Sequence, residues 1–182
     1  SDVIAWIWTR TVASPDPSTR GKHVPLSSPF MLSTNSANMA WVEIIRDPSA
    51  SDGWRPAVHP GTISSETAAD VRKGTKAGHA LDFICALTGS PIPRSYIQAE
   101  GKAGRLGKRL VASVADGGRR KVYLSPTADH EAVADCGDSQ TEEARSTFLA
   151  GPLPTRAEIT GGVCTAYGLR TWGLLFQDRQ LR

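Results

Sequence analysis

The sequence predicts an α+β fold, made mainly of antiparallel strands with short helices towards the C-terminus. Through residues 3–124, short runs of β-branched and aromatic residues alternate with polar loops rich in glycine, proline and serine, a pattern typical of antiparallel strands. After Thr127, alanine- and acid-rich segments replace these runs, which favours capped helices. A chain of 182 residues with 40% apolar content can bury one core, so we expect one domain or one domain with a small appendage.

Strand-like runs dominate the first half of the chain. The first of them, VIAWIWTRTV at residues 3–12, ends at a turn over residues 14–21 whose prolines and glycine forbid regular structure. Residues 24–33 and 39–46 predict two further strands, and the second alternates like a half-buried antiparallel strand. A short strand and a helical turn follow at residues 55–59 and 65–72.

The second half contains two hairpin-like patterns and then helices. Residues 83–93 predict a strand, a tight glycine-containing turn and a returning strand. LVASVA at 110–115 and KVYL at 121–124 flank an Asp-Gly-Gly turn, which is a strong hairpin signal. Helices are predicted at residues 128–135 and from 171 onwards, and residues 141–149 predict either a second helix or a linker, because a Gly-Pro-Leu-Pro segment follows them. The predicted division is a β subregion at 1–93, a basic glycine loop and hairpin at 94–126, and a helical segment at 127–182, packed as one unit.

The stretch from residue 96 to residue 126 contains seven of the 21 lysines and arginines. Gly101, Gly104 and Gly107 separate its first cations, and an arginine-rich turn follows within the predicted hairpin. Cations and backbone amides spaced in this way can converge on phosphate oxygens, although a solvated loop surface is the simpler alternative. The predicted phosphate contacts are Lys102, Arg105, Lys108, Arg109, Arg119, Arg120 and Lys121. The stretch also matches the short GXXG pattern of an RNA-binding module, but its flanks favour strands rather than the two helices of that module.

Several classes of chemistry lack their motif. No G-x-x-x-x-G-K-[ST] or G-x-G-x-x-G pattern is present, which argues against nucleotide hydrolysis and dinucleotide binding. Metal binding usually needs paired ligands, and neither C-x-x-C nor H-x-x-x-H occurs, so we expect no metal and interpret Cys85 as a buried structural thiol. Asp129, His130 and Glu131 are consecutive on a predicted helix, where they point in different directions, so we predict no catalytic residues.

Charge and cysteine usage indicate the compartment. The formal net charge of +3 permits a polyanionic partner without requiring one. Three cysteines at wide spacings are typical of a reducing compartment, so we expect a cytoplasmic protein. Neither a membrane span nor a signal peptide is predicted. Because the chain starts at Ser1 without a methionine and ends in an unfinished helical pattern, we expect it to be part of a longer protein.

Three segments carry a resemblance to a known family. They are ICALTGSPIP at 84–93, AEGKAGRLGKRLVASVADGGRRKVYL at 99–124 and YGLRTWGLLFQDRQL at 167–181. Together they resemble the bacterial and archaeal adenine-specific DNA methylases that contain a zinc ribbon. Ser14, Thr19 and Thr88 stand where that family has zinc-ligand cysteines, and only Cys85 remains. The resemblance therefore implies a metal-free, zinc-ribbon-like subregion at residues 1–93, packed around Ile84, Leu87 and Ile92.

The resemblance also implies a function and its limits. The parent would be an S-adenosylmethionine-dependent adenine DNA methyltransferase, yet the Asp/Asn-Pro-Pro-aromatic loop and the glycine-rich cofactor turn are missing here. We therefore expect a non-catalytic region that helps to hold DNA and needs no cofactor of its own. The alternative is a structural or protein-interaction module of the same larger protein, without nucleic-acid affinity and with an exposed apolar patch near Trp172 and Phe176. An independent enzyme would instead require a deep pocket lined by titratable residues.

Overall fold

Antiparallel strands make up most of the regular structure in the computed structural model, which describes residues 2–78, 82–154 and 161–181. In chain order the strands are β1 (Val3–Ala13), β2 (His23–Leu26), β3 (Met31–Ser33), β4 (Ala40–Arg46), β5 (Trp54–Pro60), β6 (Lys76–Ala77), β7 (Asp82–Ile84), β8 (Pro91–Ile92), β9 (Gly107–Asp116) and β10 (Lys121–Leu124). The α-helices are α1 (Ser65–Lys73), α2 (Arg94–Lys102), α3 (Ala128–Ala134), α4 (Ser139–Glu143) and α5 (Gly161–Ala166). The predicted α+β class is therefore confirmed.

The chain divides into two compact units. The first contains Ser1–Pro93 and Leu106–Thr127, and the second contains Arg94–Arg105 and Ala128–Arg182. All three sheets and α1 belong to the first unit, whereas α2 to α5 belong to the second. The basic stretch is therefore divided between the two units. Lys102 and Arg105 lie in the second unit, and the other predicted contacts lie in the first.

The largest sheet has the strand order β10-β9-β1-β2 and is antiparallel throughout. Strand β1 pairs along most of its length with β9, where Trp6 lies opposite Ser113 and Thr9 opposite Arg109. Six consecutive residues of β9, from Leu110 to Ala115, are buried, so this strand is covered on both faces. The strand predicted at residues 3–12 is confirmed.

A second sheet, β3-β4-β5, packs with α1 and β9 around a shared apolar cluster. Its buried members are Phe30, Val42, Val71, Val111 and Ala112. The Phe30 amide donates to the Val71 carbonyl at 2.8 Å, which ties the segment before β3 to α1. The single strand predicted over 24–33 is wrong, since β2 and β3 are separate. Pro29 lies in the break, and proline has no amide hydrogen with which to continue a ladder.

The third sheet, β6-β7-β8, contains the tight turn predicted within residues 83–93. Phe83 pairs with Ile92, and the Gly89 amide closes the turn by donating to the Cys85 carbonyl at 2.8 Å. Gly89 has φ +79, a left-handed conformation that favours glycine. Phe83, Cys85 and Ile92 are buried, so the strand, turn and returning strand form a packed hairpin, as predicted.

The second unit ends differently from the prediction. In place of a helix from residue 171, the chain forms two short 3-10 turns, Trp172–Leu175 and Asp178–Gln180. The guanidinium of Arg145 donates to the carbonyls of Gly173 and Phe176 and to the Asp178 carboxylate. These two carbonyls accept hydrogen bonds from the Arg145 side chain and not from backbone amides one helical turn later. The segment can therefore pair its carbonyls without forming an α-helix.

Candidate nucleic-acid interface

The hairpin of β9 and β10 presents a short basic turn. Lys121 lies opposite Asp116, and the Gly117 amide donates to the Arg120 carbonyl at 3.1 Å across the turn. The Asp116 carboxylate accepts from the Gly118 amide at 2.8 Å, and Gly118 adopts φ +81. This is the Asp-Gly-Gly hairpin that the sequence predicts, and it is confirmed.

A neighbouring turn holds the hairpin tip in place. The Asn38 side chain donates to the Lys121 carbonyl at 2.8 Å, and Arg120 donates to the Ala37 carbonyl at 3.3 Å. The Asn35 side chain accepts from the Ala37 amide at 3.0 Å, which fixes the turn itself. The tip is therefore anchored mainly through backbone carbonyls, and no carboxylate takes part in these bonds.

An open cavity of about 490 Å³ lies between this turn and the hairpin tip. We call it the hairpin-tip pocket, and it is lined by Ser33, Asn35, Ala37, Asn38, Arg119, Arg120, Lys121 and Tyr123. Its three cationic residues are exposed, and none of its lining residues is acidic. Cations, amides, a hydroxyl and an aromatic ring are the groups that contact phosphates and bases in nucleic-acid sites.

Lys108 and Arg109 lie at the opposite end of β9, about 27 Å along the strand from Asp116. The Lys108 ammonium lies 5.3 Å from the centre of the Trp8 ring. Arg109 stacks over Trp54 at 5.8 Å, and its guanidinium lies 3.5 Å from the Asp52 carboxylate. Both cations thus contact groups of their own unit, and they are not gathered with the hairpin tip.

Lys102 and Arg105 belong to the second unit, at the end of α2 and just beyond it. Two hydrogen bonds of 2.9 and 2.6 Å join the Arg105 guanidinium to the Glu100 carboxylate, which raises the pKa of Arg105. Glu100 is largely buried, so Arg105 supplies the counter-charge that a carboxylate in such a position requires. Lys102 is exposed in the last turn of the helix.

The three glycines of the basic loop have backbone roles. The glycine loop with strand-like flanks that the sequence predicts is wrong at its start, because Gly101 and Lys102 lie within α2. A Cβ on Gly101 would collide with the Tyr167 carbonyl, so glycine allows this part of the second unit to pack closely. Gly104 ends the helix at φ +70, and Gly107 begins β9 against the side chains of Thr11 and His23. Their spacing therefore reflects packing and turn geometry.

Hydrogen bonds join the two turns that carry Ser14 and Cys85, which we call the knuckles (residues 14–20 and 85–90). The Ser14 hydroxyl donates to the Cys85 sulfur at 3.3 Å, and Ser90 donates to Asp16 at 2.7 Å. Burial raises the pKa of Cys85, but bonds from Ser14, Thr88 and two backbone amides outweigh it and lower that pKa below its usual value. Sequence reasoning predicted apolar packing here but missed this polar network, which the Ser/Thr/Asp content of both turns could have indicated.

The histidines and cysteines that the structure describes do not converge on a common centre. Among residues 2–78, 82–154 and 161–181, no group of three or more His, Cys, Asp or Glu side chains could hold a metal ion. His23 bonds Thr11 at 3.1 Å, and His59 bonds Glu43 at 2.7 Å while stacking on Trp41. His79 lies outside the described residues.

Trp41, Glu43 and His59 also line a cavity of about 400 Å³ that the sequence does not predict. Its floor is apolar, with Phe30, Val42 and Val71 contributed by the core, and Asp70 lies at its wall. The lining also includes Thr67 and Thr75, so the histidine, the carboxylates and these hydroxyls could contact a polar ligand.

Comparison with models of known protein families, with curated proteins and with solved structures found no significant match. In the described parts of the chain, no helix has both the length and the apolar character needed to cross a bilayer.

Proposed function

We propose that this chain is a non-catalytic, DNA-binding region of a DNA methylase-like protein, and that it contacts the DNA backbone through the hairpin-tip pocket. The observation that carries the proposal is the convergence of Arg119, Arg120 and Lys121 in one cavity without an acidic lining residue. Hydrogen bonds hold the Arg120 guanidinium on the Ala37 carbonyl and the Lys121 main chain on Asn38, and no acid lines the cavity. A cation that the fold already positions, such as Arg120, binds a phosphate with a small ordering cost.

The other predicted contacts have lesser roles in this proposal. Arg105 and Arg109 each have a carboxylate partner, Glu100 and Asp52 respectively, so a phosphate would have to compete with it. Lys108 is half-buried with its ammonium over the Trp8 ring, so a phosphate would have to compete with that contact. Lys102 is exposed and can add a long-range attraction for DNA. Backbone binding of this kind requires no cofactor.

The kinship with zinc-ribbon adenine-specific DNA methylases is part of the proposal. It is supported by the family-like segments at residues 99–124 and 167–181 and by the paired knuckles, where Ser14, Cys85 and Thr88 approach one another at positions expected for ligands. The parent would be an S-adenosylmethionine-dependent adenine methyltransferase. The reading frame that encodes the chain should then also encode an Asp-Pro-Pro-aromatic loop, and a frame without one would refute the kinship.

A salt series of DNA titrations tests the binding proposal. Fluorescence polarisation with a labelled duplex should show binding at low salt. The logarithm of the association constant should then fall linearly with the logarithm of the salt concentration. Replacing Arg119, Arg120 and Lys121 together by glutamine should weaken binding at least tenfold. It should also make the salt slope shallower by about 0.9 for each phosphate that the variant no longer neutralises.

The matched control removes three charges that lie outside the hairpin-tip pocket in the same unit. Arg72, Lys73 and Lys76 lie in or just after α1 and do not line the hairpin-tip pocket. Their triple glutamine variant has the same net charge as the hairpin variant. Equal losses of affinity in the two variants would mean that only total charge matters, and absence of binding by the wild-type chain at low salt would refute the proposal outright.

The alternative function is a structural or protein-interaction module that docks on the remainder of a larger protein. The observation in its favour is the exposure of large apolar side chains in the second unit, where Phe148 is 79% and Val133 is 58% exposed. Near the predicted patch, Phe176 is 36% exposed and Trp172 is half-buried. This function predicts no DNA affinity, so the titration above separates the two.

A cytoplasmic location completes the proposal. Cys85, Cys136 and Cys164 are all free, which fits a reducing compartment. Labelling of the native protein with a thiol reagent after extraction under non-reducing conditions should modify Cys136 and Cys164. Recovery of either residue in a disulfide would contradict this location.

A further inference from the structure

A second basic cavity, of about 420 Å³, lies in the first unit beside the knuckles. We call it the knuckle pocket, and its polar lining consists of Ser18, Thr19, Arg20, Lys22, Arg46 and Thr88. Sequence reasoning did not single out these cations, because they come from separate segments. Arg20 and Lys22 follow the 3-10 turn Pro17–Thr19, whereas Arg46 ends β4.

Arg20 occupies an unfavourable backbone conformation. Its φ is +54, and among the described residues it is the non-glycine residue with positive φ. The turn imposes this geometry through a bond from the Arg20 amide to the Pro17 carbonyl at 3.1 Å and one from the Lys22 amide to the Thr19 carbonyl at 3.2 Å. Glycine would fit such a site without strain, so the presence of an arginine calls for a role of its side chain.

Lys22 lies across the face of Gly53. A Cβ at Gly53 would lie 3.1 Å from the Lys22 ammonium and 3.3 Å from its Cδ, so the missing side chain makes room for the lysine. The same point is 3.7 Å from a methyl group of Leu87, which gives the cavity an apolar wall next to its cations. The ammonium is therefore positioned by packing along its stem.

The cations of the knuckle pocket have no ion-pair partner within the described residues. Three carboxylates lie nearby in sequence, but each is engaged with other groups. Asp16 accepts from Ser18 and Ser90, Asp47 accepts from Ser49 and pairs with Arg55, and Asp52 pairs with Arg109. Two guanidinium groups, one ammonium and several hydroxyls thus share a cavity whose lining contains no acid.

We propose that the knuckle pocket binds the phosphate of a phosphomonoester. Guanidinium groups match phosphate oxygens in geometry as well as charge, and Arg20 and Arg46 both line the cavity with the Lys22 ammonium. The cavity is much larger than a single phosphate and falls within the range of small-molecule sites, so the ester would carry an organic group of about nucleotide size against Leu87.

This site is separate from the hairpin-tip pocket. Arg46 lies at the end of β4, whereas Asn38 of the hairpin-tip pocket precedes its beginning, and the strand between them spans about 20 Å. The inference therefore does not depend on DNA binding by the hairpin. The phosphomonoester could be a free nucleotide or the 5′-phosphate of a nucleic-acid strand, since both offer the same chemistry.

Isothermal titration calorimetry with four probes tests the inference: inorganic phosphate, adenosine 5′-monophosphate, a 5′-phosphorylated dinucleotide and the same dinucleotide with a 5′-hydroxyl. The expected order places both organic phosphomonoesters above inorganic phosphate, with little binding of the 5′-hydroxyl dinucleotide. Tighter binding of the phosphorylated dinucleotide than of the mononucleotide would identify a strand end as the ligand, and the reverse would identify a free nucleotide. Equal binding of the two dinucleotides, or no heat with any phosphate probe, would overturn the proposal.

Three variants locate the site. Arg20→Gly removes a cation while relieving backbone strain, so it should fold at least as stably as the wild type yet bind about tenfold or more weakly. Arg46→Gln should show a comparable loss of affinity, and Arg72→Gln, an exposed position on α1 outside the pocket, should bind within twofold of the wild type. The hairpin-tip triple variant should also bind the mononucleotide normally. Unchanged affinity in both Arg20→Gly and Arg46→Gln would refute the assignment.

Discussion

The two ends of the basic stretch have similar compositions but different structural roles. At residues 102–109 the arginines have carboxylate partners, Glu100 and Asp52, and the glycines allow close packing or end a helix. At residues 119–121 the cations are exposed and the tip is anchored through backbone groups. A count of lysines and arginines therefore does not define an interface. What matters is whether each cation already forms an ion pair with a carboxylate inside the fold.

Glycine replacements should give the largest contrast between the two ends. Gly101→Ala places a Cβ against the Tyr167 carbonyl and should destabilise the protein by about 3 kcal/mol, because backbone on both sides cannot move aside easily. Gly118→Ala meets no atom within 4 Å and strains only its φ of +81, so it should cost about 1 kcal/mol. Urea unfolding followed by circular dichroism measures both. A destabilisation by Gly101→Ala no larger than that by Gly118→Ala would show that the start of the stretch is not closely packed.

Arginine replacements should then separate stability from DNA binding. Arg105→Gln removes the partner of a largely buried carboxylate, so it should lower the urea midpoint and leave DNA affinity within twofold. Arg119→Gln should leave stability within about 0.5 kcal/mol and weaken DNA binding roughly threefold to tenfold. The two substitutions change net charge equally, so each serves as the control for the other. The reverse pattern would place the DNA contact at the start of the stretch.

Local sequence signals predicted the structural features that depend on neighbouring residues. The Asp116-Gly117-Gly118 turn and its flanking strands could be predicted because β-branched runs and turn glycines act within a few residues. The whole of α2 was missed, since Gly101, Gly104 and Gly107 were interpreted as a loop. One of them, Gly101, instead serves packing against Tyr167, more than 60 residues later.

Long-range pairing explains the other differences. Nothing in the sequence near Arg109 indicates Asp52, because the two meet only after β9 enters the large sheet between β10 and β1. The helix predicted from residue 171 is replaced by short turns that Arg145 satisfies from a distant segment. The knuckle pocket was not predicted for the same reason, since its cations come from separate parts of the chain. The tertiary fold therefore decides which charges form ion pairs and which remain exposed.

In the knuckles, the corresponding charge is negative and belongs to Asp16. Of the changes considered, its replacement should have the smallest effect. Hydrogen bonds from Ser90 and then Ser18 hold the pKa of Asp16 well below its usual value of 3.8. A carboxyl group whose pKa is lowered by folding contributes stability above its unfolded pKa, and this contribution is lost as the pH falls through the folded pKa. Asp16→Asn should therefore unfold at lower urea than the wild type at pH 7 and at pH 5. The gap between the two proteins should narrow only below about pH 4. If the difference in urea midpoint between the two proteins were constant from pH 7 to pH 2, the Asp16 charge would not contribute to joining the knuckles.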